Sequence, residues 1–180
     1  TTLHIIVIIV AGFIGGAICG VIPGLLKGFL KVDETIITVM LNYVVMYILS
    51  FLLSGLWQAP GEHYYLSSPV PDAVKYPLLI ENSRLHIGFA IAIVAAVVVL
   101  WLLQKTRFGY EIRAIGLNPI AAKFKGINVA KVIVITMLIS GGIAGLAGVG
   151  EVVGLHHRLR MDISSGYGFT GIIIALLAGL

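Results

Sequence analysis

Long apolar runs alternate with short polar segments along the chain. Four runs approach or exceed the roughly 20 residues that a helix needs to cross about 30 Å of hydrocarbon. They are Leu3–Leu26, Ile36–Leu56, Leu85–Leu103 and Val132–Val153. A fifth run, Ile172–Leu180, supplies about half a span, and a chain ending there would leave carbonyls unpaired in lipid. The pattern predicts an all-α polytopic transmembrane helical bundle of about five spans, with residues 1–180 a fragment of a longer protein.

The composition supports a membrane protein. Residues of the AVILMFWYC set make up 59% of the chain and charged residues 11%, whereas soluble domains carry roughly 25% charged residues. So few charges cannot cover a globule in water, which excludes a soluble enzyme, a disordered chain and a nucleic-acid module. The single Cys19 lies inside an apolar run, so there is no disulfide or cysteine-based metal framework. Membrane lipid is the expected surrounding.

The placement of Lys and Arg predicts the orientation of the spans. Residues 104–131 hold six of them and the link Lys27–Thr35 holds two, whereas the alternate segments hold four. The more basic side is cytoplasmic by the positive-inside rule. Residue 1 is therefore expected outside, Trp57–Arg84 is an outer loop (57–84), and 104–131 is a cytoplasmic loop.

Small residues recur at four-residue spacing in two of the runs. The first run has Gly12, Gly16 and Gly20, and the fourth has Gly141, Ala144, Gly145 and Gly148. Such spacing lets helix backbones approach closely in a membrane, so both faces are predicted to pack on other helices. The alternative is that glycine is simply common in membrane helices. Pro23 predicts a kink near the inner end of the first run.

Two polar residues lie in or beside the apolar runs. Asn42 needs a hydrogen-bonding partner in hydrocarbon, and this is either another helix or a transported solute. Glu151 ends the fourth run. An intramembrane carboxylate is a candidate functional group, but Glu151 can equally lie at the headgroup level with Arg158 as its partner. Both alternatives stay open for each residue.

The segment Ser165–Gly168 is similar to the filter loop of potassium channels, a ring of backbone carbonyls. The charged residues before it, Arg158, Arg160 and Asp162, would make a poor pore helix. A glycine-rich break where a half-helix begins is the favoured interpretation, because such breaks occur where they line a cavity. We therefore predict a re-entrant or broken helix near 164–172, with Thr170 or Ser165 as its cap.

Sequence motifs of catalysis are absent. The chain has no Gly-x-Ser-x-Gly, no His-Glu-x-x-His and no Gly-x-x-x-x-Gly-Lys-Ser/Thr, the patterns of a nucleophilic serine, a zinc protease and a phosphate-binding loop. We therefore expect no enzyme activity, no catalytic or metal-binding residues and no cofactor in this chain. If ATP is used, a separate subunit binds it.

The cytoplasmic loop has the pattern of two short helices. Tyr110–Ala114 predicts the first, and Gly116–Pro119 interrupts it. Pro119 suits the first position of a second helix with Asn118 as its N-cap, and Gly126 suits its end. Short amphipathic helices outside the membrane dock into a groove on a partner or rest on lipid headgroups; both remain open from the pattern alone.

Several stretches together resemble the permease subunits of bacterial ABC importers, in the class that serves branched-chain amino acids, ribose and nucleosides. They are Asp33–Tyr43, Ser83–Phe89, Thr106–Val129 and Gly148–Ala175. The likeness is strongest to nucleoside or simple-sugar permeases. It implies a multi-pass protein of the bacterial cytoplasmic membrane. It also implies a second permease subunit (homodimer or heterodimer), two ABC ATPase subunits below and an extracellular or periplasmic substrate-binding protein above, with no nucleic acid.

The resemblance also implies roles for particular residues. The coupling contacts to the ATPase map to Glu111, Arg113, Ala114, Gly116, Asn118, Ala121, Ala122 and Gly126. The translocation path maps to Asn42, Glu151, Gly166, Gly168, Phe169 and Thr170. The chain departs from the family pattern at Thr170, where an acid is favoured, and at Ile173 and Ile174, where small residues are.

The implied function is ATP-driven import of a nucleoside or simple sugar by alternating access. The alternatives within the class are a branched-chain amino acid or an autoinducer-like sugar as cargo. Outside it they are a carrier or channel that does not use ATP and a purely structural membrane subunit. The presence or absence of an ATPase partner discriminates between these classes.

Overall fold

The computed structural model describes residues 2–59, 66–71, 74–77, 86–160, 163 and 166–177. These form helices with the following bounds: α1 Thr2–Leu30, α2 Glu34–Leu53, α3 Ile87–Lys105, α4 Arg107–Leu117, α5 Pro119–Phe124, α6 Val129–Val149 and α7 Tyr167–Leu177. A π-helical segment, Gly150–His156, continues α6 directly. Within this part of the chain, four helical stretches are long and apolar enough to cross a membrane. The predicted all-α polytopic bundle is confirmed.

The helix ends follow from local capping. Helix α1 stays helical through the fully buried Pro23 and extends past the predicted Leu26 to Leu30. Asp33 caps α2, its carboxylate accepting a hydrogen bond from the Thr35 N–H at 2.8 Å. This bond holds the pKa of Asp33 below its ordinary value. The Lys27 ammonium pairs with the Glu34 carboxylate, so an ion pair joins the end of α1 to the start of α2.

Helices α1 and α6 pack face to face in opposite directions. A Cβ built on Gly16 would lie 2.7 Å from the Gly145 Cα, and one on Gly141 would lie 2.9 Å from the Gly20 Cα. Real contacts between carbon atoms are about 3.5–4.0 Å, so only glycine fits at these positions. The prediction that both glycine faces pack on other helices is confirmed, and they pack on each other. Gly148 lies off this contact, because a Cβ there would meet nothing within 4 Å.

The connecting segments gather at two opposite ends of the bundle. Near one end Gly28 of α1 lies against Ala130 of α6, beside the α1–α2 link and the α4–α5 segment. At the other end the described part of 57–84 bonds to the chain after the π-helical segment: Val70 N–H donates to the His157 carbonyl at 2.8 Å. Segments predicted to share a side of the membrane therefore share an end of the bundle. Which end faces the cytoplasm stays a prediction, and residues 60–65, 72–73 and 78–85 lie outside the described part of 57–84.

Candidate functional site

Helix α4 is bonded to the end of α3 at a tight corner. Thr106 lies between the two helices, where its hydroxyl donates to the Leu102 carbonyl at 2.6 Å and accepts from the Gly109 N–H at 3.0 Å. Gly109 is buried, and a Cβ there would lie 2.6 Å from the Leu103 carbonyl carbon. The Arg113 guanidinium donates to the Leu103 carbonyl oxygen. The corner therefore fixes the direction in which α4 leaves α3.

The break between α4 and α5 is the one that the sequence predicts. The Asn118 side-chain oxygen accepts hydrogen bonds from the Ile120 and Ala121 N–H groups, both at 3.0 Å, and Pro119 occupies the first turn of α5. Gly126 closes the segment with a φ of +82°, the left-handed conformation that glycine adopts without a steric penalty. The prediction of Asn118 as an N-cap is confirmed. Helix α4 begins at Arg107 and not at Tyr110 because Thr106 caps it.

The predicted coupling residues differ in their exposure. Arg113, Gly116, Asn118, Ala121 and Gly126 are exposed, whereas Glu111 and Ala114 are half-buried. Ala122 is only 3% exposed. It therefore supports the α4–α5 segment from inside, and its contribution to any partner contact is indirect.

The structure reveals an apolar patch that the sequence analysis missed. Leu117, Ile120 and Phe124 are 89%, 68% and 89% exposed, and all three lie outside the helical stretches suited to crossing the membrane. Exposed large apolar side chains grouped together mark an interaction surface. Ile120 and Phe124 are four residues apart, which places them on one face of a helix. This four-residue spacing is the feature of the sequence from which the patch could have been predicted.

A cavity of about 470 Å³ lies between α4 and the start of α6. Glu111 of α4 lines it together with Lys125 and Lys131, and Val132 and Ile135 form its apolar wall. The polar side chains give this cavity one acidic and two basic groups. Among the described residues, Arg113 hydrogen-bonds α4 to α3, and no hydrogen bond joins α4 to α6.

Asn42 lines a groove of about 390 Å³ between α1, α2 and α6. Its amide nitrogen lies 3.8 Å from the Met46 sulfur, one turn along the same helix, and among the described residues no other helix gives it a hydrogen bond. The Ser140 hydroxyl of α6 lines the same groove. The groove therefore offers an amide and a hydroxyl to a solute or to another helix.

Glu151 lies in the π-helical segment and lines a different cavity of about 730 Å³ with Tyr76 and His86. One Glu151 carboxylate oxygen is 3.4 Å from His156 Nδ1 but is buried without a hydrogen bond. The two side chains therefore lie close together without a hydrogen bond between them. Burial raises the pKa of Tyr76. Asn42 and Glu151, both predicted on one path, do not converge in this structure.

The remaining predicted path residues lie at the start of α7. Gly166 has a φ of +82°, and the Thr170 N–H donates to its carbonyl at 3.2 Å. The Thr170 hydroxyl also points to this carbonyl, at 3.4 Å, so Thr170 lies one turn inside the helix and does not cap it. Ser165 lies outside the described residues. Gly168, Phe169 and Thr170 are exposed, and a re-entrant course for this helix stays a prediction.

In the described part of the chain no three His, Cys, Asp or Glu side chains are placed to hold a metal ion. The geometry instead offers an exposed patch on a bonded corner, and grooves between helices. These are features suited to binding a partner and a solute.

Known proteins with similar sequences are membrane permeases. A guanosine ABC transporter permease of Bacillus subtilis is 42% identical over 100 residues, which are 55% of this chain and 29% of that protein. A nucleoside ABC transporter permease of Lactococcus lactis is 39% identical over 102 residues, 56% of this chain and 28% of that protein. A glucose ABC transporter permease of Haloferax volcanii is 36% identical over 112 residues, 62% of this chain and 29% of that protein.

The chain thus matches less than a third of the length of these relatives, and no solved structure matches it. The family described as branched-chain amino acid transport system / permease component matches residues 1–180. Its members are permease components, which move solutes and do not convert them chemically. The whole chain therefore belongs to this family of multi-pass membrane permeases.

Proposed function

We propose that the chain is part of the permease subunit of an ATP-driven ABC importer that carries a nucleoside or a simple sugar across the cytoplasmic membrane. The observation that carries this proposal is the apolar patch of Leu117, Ile120 and Phe124, exposed on helices outside the spans. In this proposal a partner protein covers that surface. The relatives are named as permeases of ABC transporters, and the partner class proposed here is the ABC ATPase of such a transporter.

The α4–α5 segment is the docking element in this proposal. Burying a large apolar side chain contributes about 1.5–3 kcal/mol, and a few central anchors dominate the energy of most interfaces. Ile120 and Phe124 are the two anchors, and Gly116 and Ala121 are small enough to let a partner groove approach the helix. Each permease subunit presents one such element, so a pair of permeases receives two ATPase subunits. ATP is bound by the ATPases and this chain holds no cofactor.

The cargo is proposed from the relatives and the groove. Their printed names give guanosine, nucleosides and glucose, all of which carry hydroxyl groups on a sugar ring. Asn42 and Ser140 line a groove between three spans and offer hydrogen-bonding groups suited to such hydroxyls. An external substrate-binding protein would deliver the cargo from the end of the bundle formed by 57–84 and the chain after the π-helical segment.

The mechanism is alternating access. ATP binding draws the two ATPases together, the α4–α5 segments move with them, and the spans rock to open the path to the other side. An equilibrium between two states shifts only by differential binding, so the patch must contact the ATPases differently in the two states. No chemical change in the cargo is involved.

Uptake by cells tests this proposal. The gene for the full-length protein is deleted and then restored, and uptake of labelled guanosine, glucose and leucine is measured. We expect ATP-dependent uptake of guanosine or glucose that disappears in the deletion and returns with the wild-type gene. Restored uptake of leucine alone moves the cargo to branched-chain amino acids, and uptake that persists after ATP depletion contradicts an ABC importer.

A further inference from the structure

The two ends of the α4–α5 segment are attached in different ways. At the α3 end, one residue, Thr106, bonds to both helices through its hydroxyl. The Arg113 guanidinium adds a second bond from the middle of α4 back to the Leu103 carbonyl of α3. The last carbonyls of a helix have no partner within that helix, so these bonds satisfy groups that would otherwise need water or lipid headgroups.

At the α6 end, each helix is closed by its own residues. The Gly126 N–H donates to the Lys123 carbonyl at 3.0 Å and the Ile127 N–H to the Ala122 carbonyl at 3.2 Å, a complete glycine-based C-cap. Asn128 then caps α6, its side-chain oxygen accepting from the Lys131 N–H at 3.1 Å. Between the described residues of α5 and α6 there is no hydrogen bond, and part of the space between α4 and α6 is the 470 Å³ cavity.

From this asymmetry we propose that α3, α4 and α5 move as one rigid lever, with Arg113 as the positioning residue that locks the α3–α4 corner and the Ile127–Asn128 joint as the hinge. The inference rests on the proposed function, because the lever matters only if the α4–α5 segment is moved by a partner. It gives Arg113 a role inside this chain in place of the expected contact with the ATPase. A push on the apolar patch is transmitted to α3, while α6 stays against α1.

The geometry explains why a rigid corner between α3 and α4 needs both Arg113 and Gly109. A hydrogen bond from a charged donor is stronger than one between neutral groups, and Arg113 makes its bond across the corner where a lever would bend. Gly109 lets α4 approach the Leu103 carbonyl closely, since a side chain there would collide with the backbone of α3. Loss of the Arg113 bond leaves the shared Thr106 hydroxyl as the remaining side-chain link at this corner.

Distances between spin labels in the full-length protein, reconstituted with its ATPase, test the lever. In a background with Cys19→Ser, labels at Val97 and Lys123 report on α3 against α5, and labels at Lys123 and Ser140 report on α5 against α6. We expect an ATP analogue to change the Lys123–Ser140 distance and to leave the Val97–Lys123 distance unchanged. In Arg113→Gln the distribution of Val97–Lys123 distances should broaden, and its mean should shift when nucleotide is added.

Transport measurements on the same variants separate positioning from docking. Arg113→Gln should still retain the ATPase, but the number of solutes imported per ATP hydrolysed should fall about tenfold or more, the scale of one lost charged hydrogen bond. Gly109→Ala should act in the same direction. Arg107→Gln is the matched control: it removes the same charge from the same helix, and the Arg107 side chain makes no hydrogen bond or ion pair to another described residue.

Equal behaviour of Arg113→Gln and Arg107→Gln in both measurements overturns the lever and leaves the proposed function standing. A nucleotide-dependent change in the wild-type Val97–Lys123 distance as large as that between Lys123 and Ser140 also overturns it. Failure of the wild-type protein to retain any ATPase overturns the proposed function instead, so the two failures are distinct.

Discussion

Adding a single methyl group at Gly16 should weaken the α1–α6 packing, whereas the same change at its neighbour Gly15 should not. A Cβ on Gly16 would lie 2.7 Å from the Gly145 Cα and 2.8 Å from the Gly145 nitrogen. To restore a carbon contact of about 3.6 Å, the two helices must separate by about 1 Å at this point. A Cβ on Gly15 meets nothing within 4 Å.

The size of the effect follows from the loss of packing along the helix pair. Inserting a methylene-sized group into a closely packed contact costs about 1–3 kcal/mol, which is roughly a 5- to 150-fold change in an equilibrium constant. At the exposed Gly15 the change to alanine removes a glycine from a helix and is expected to be neutral or stabilising by up to about 1 kcal/mol. The changes in the free energy of unfolding caused by the two variants should therefore differ in sign as well as in size.

The assay is unfolding of the purified full-length protein from mild detergent into dodecyl sulfate, followed by circular dichroism. Gly145→Ala and Gly148→Ala repeat the comparison on α6, because a Cβ on Gly145 would meet the Gly16 Cα at 3.0 Å whereas one on Gly148 has open space. The free energies of unfolding of Gly16→Ala and Gly15→Ala are then compared. If they differ by less than about 0.5 kcal/mol, the ordinary range for surface changes, the close contact is not a feature of the folded protein.

Three further predictions concern the connecting segments. Asn118→Ala removes both cap bonds to α5 and should cost about 1 kcal/mol, seen as faster hydrogen exchange at Ile120 and Ala121 while exchange in α6 stays the same; unchanged exchange contradicts the cap. In a Cys19→Ser background, a membrane-impermeant thiol reagent applied to intact cells should label Ser68→Cys and spare Lys125→Cys, and the reverse result inverts the topology. Asp33 has a lowered pKa, so its cap stabilises α2 fully at pH values above the ordinary pKa of an aspartate, and this stabilisation is lost as the pH falls through the lowered pKa. If an NMR titration gives Asp33 a pKa at or above the ordinary value, the bond to the Thr35 N–H is contradicted.

The sequence predicts the spans and the interruptions of the 104–131 loop because local chemistry determines both. Asn118 before Pro119, and Gly126 at the end of α5, leave few alternatives for the backbone, and both predictions are confirmed. The apolar runs likewise locate the membrane-crossing helices within a few residues. Helix ends differ where a cap moves them, as at Arg107, where the Thr106 cap starts α4 earlier than predicted.

Contacts between distant segments are harder to predict. Glycine spacing predicts that Gly16 and Gly145 lie on packing faces but not that they meet each other, since many pairings satisfy the same spacing. The inward position of Ala122 and the bond from Arg113 to Leu103 depend on how α4 folds back on α3. The π-helical segment at Glu151 has no distinct sequence pattern, and its pairing with His156 follows from that irregular turn.

Recovery of the ATPase by the full-length protein tests the central claim most directly. The protein is isolated from its native membrane in mild detergent, and the co-purified proteins are identified and quantified by mass spectrometry. We predict an ABC-type ATPase with the wild-type protein. Phe124→Ala and Ile120→Ala should each weaken its binding about tenfold or more, the equivalent of about 1.5 kcal/mol for a lost apolar anchor.

Leu56→Ala is the control for this measurement, because Leu56 is equally apolar and exposed but lies at the opposite end of the bundle, and it should leave recovery unchanged. Reproducible purification of the wild-type protein without any ATPase, or equal recovery with Phe124→Ala and Leu56→Ala, would contradict the account of the α4–α5 segment as the docking element.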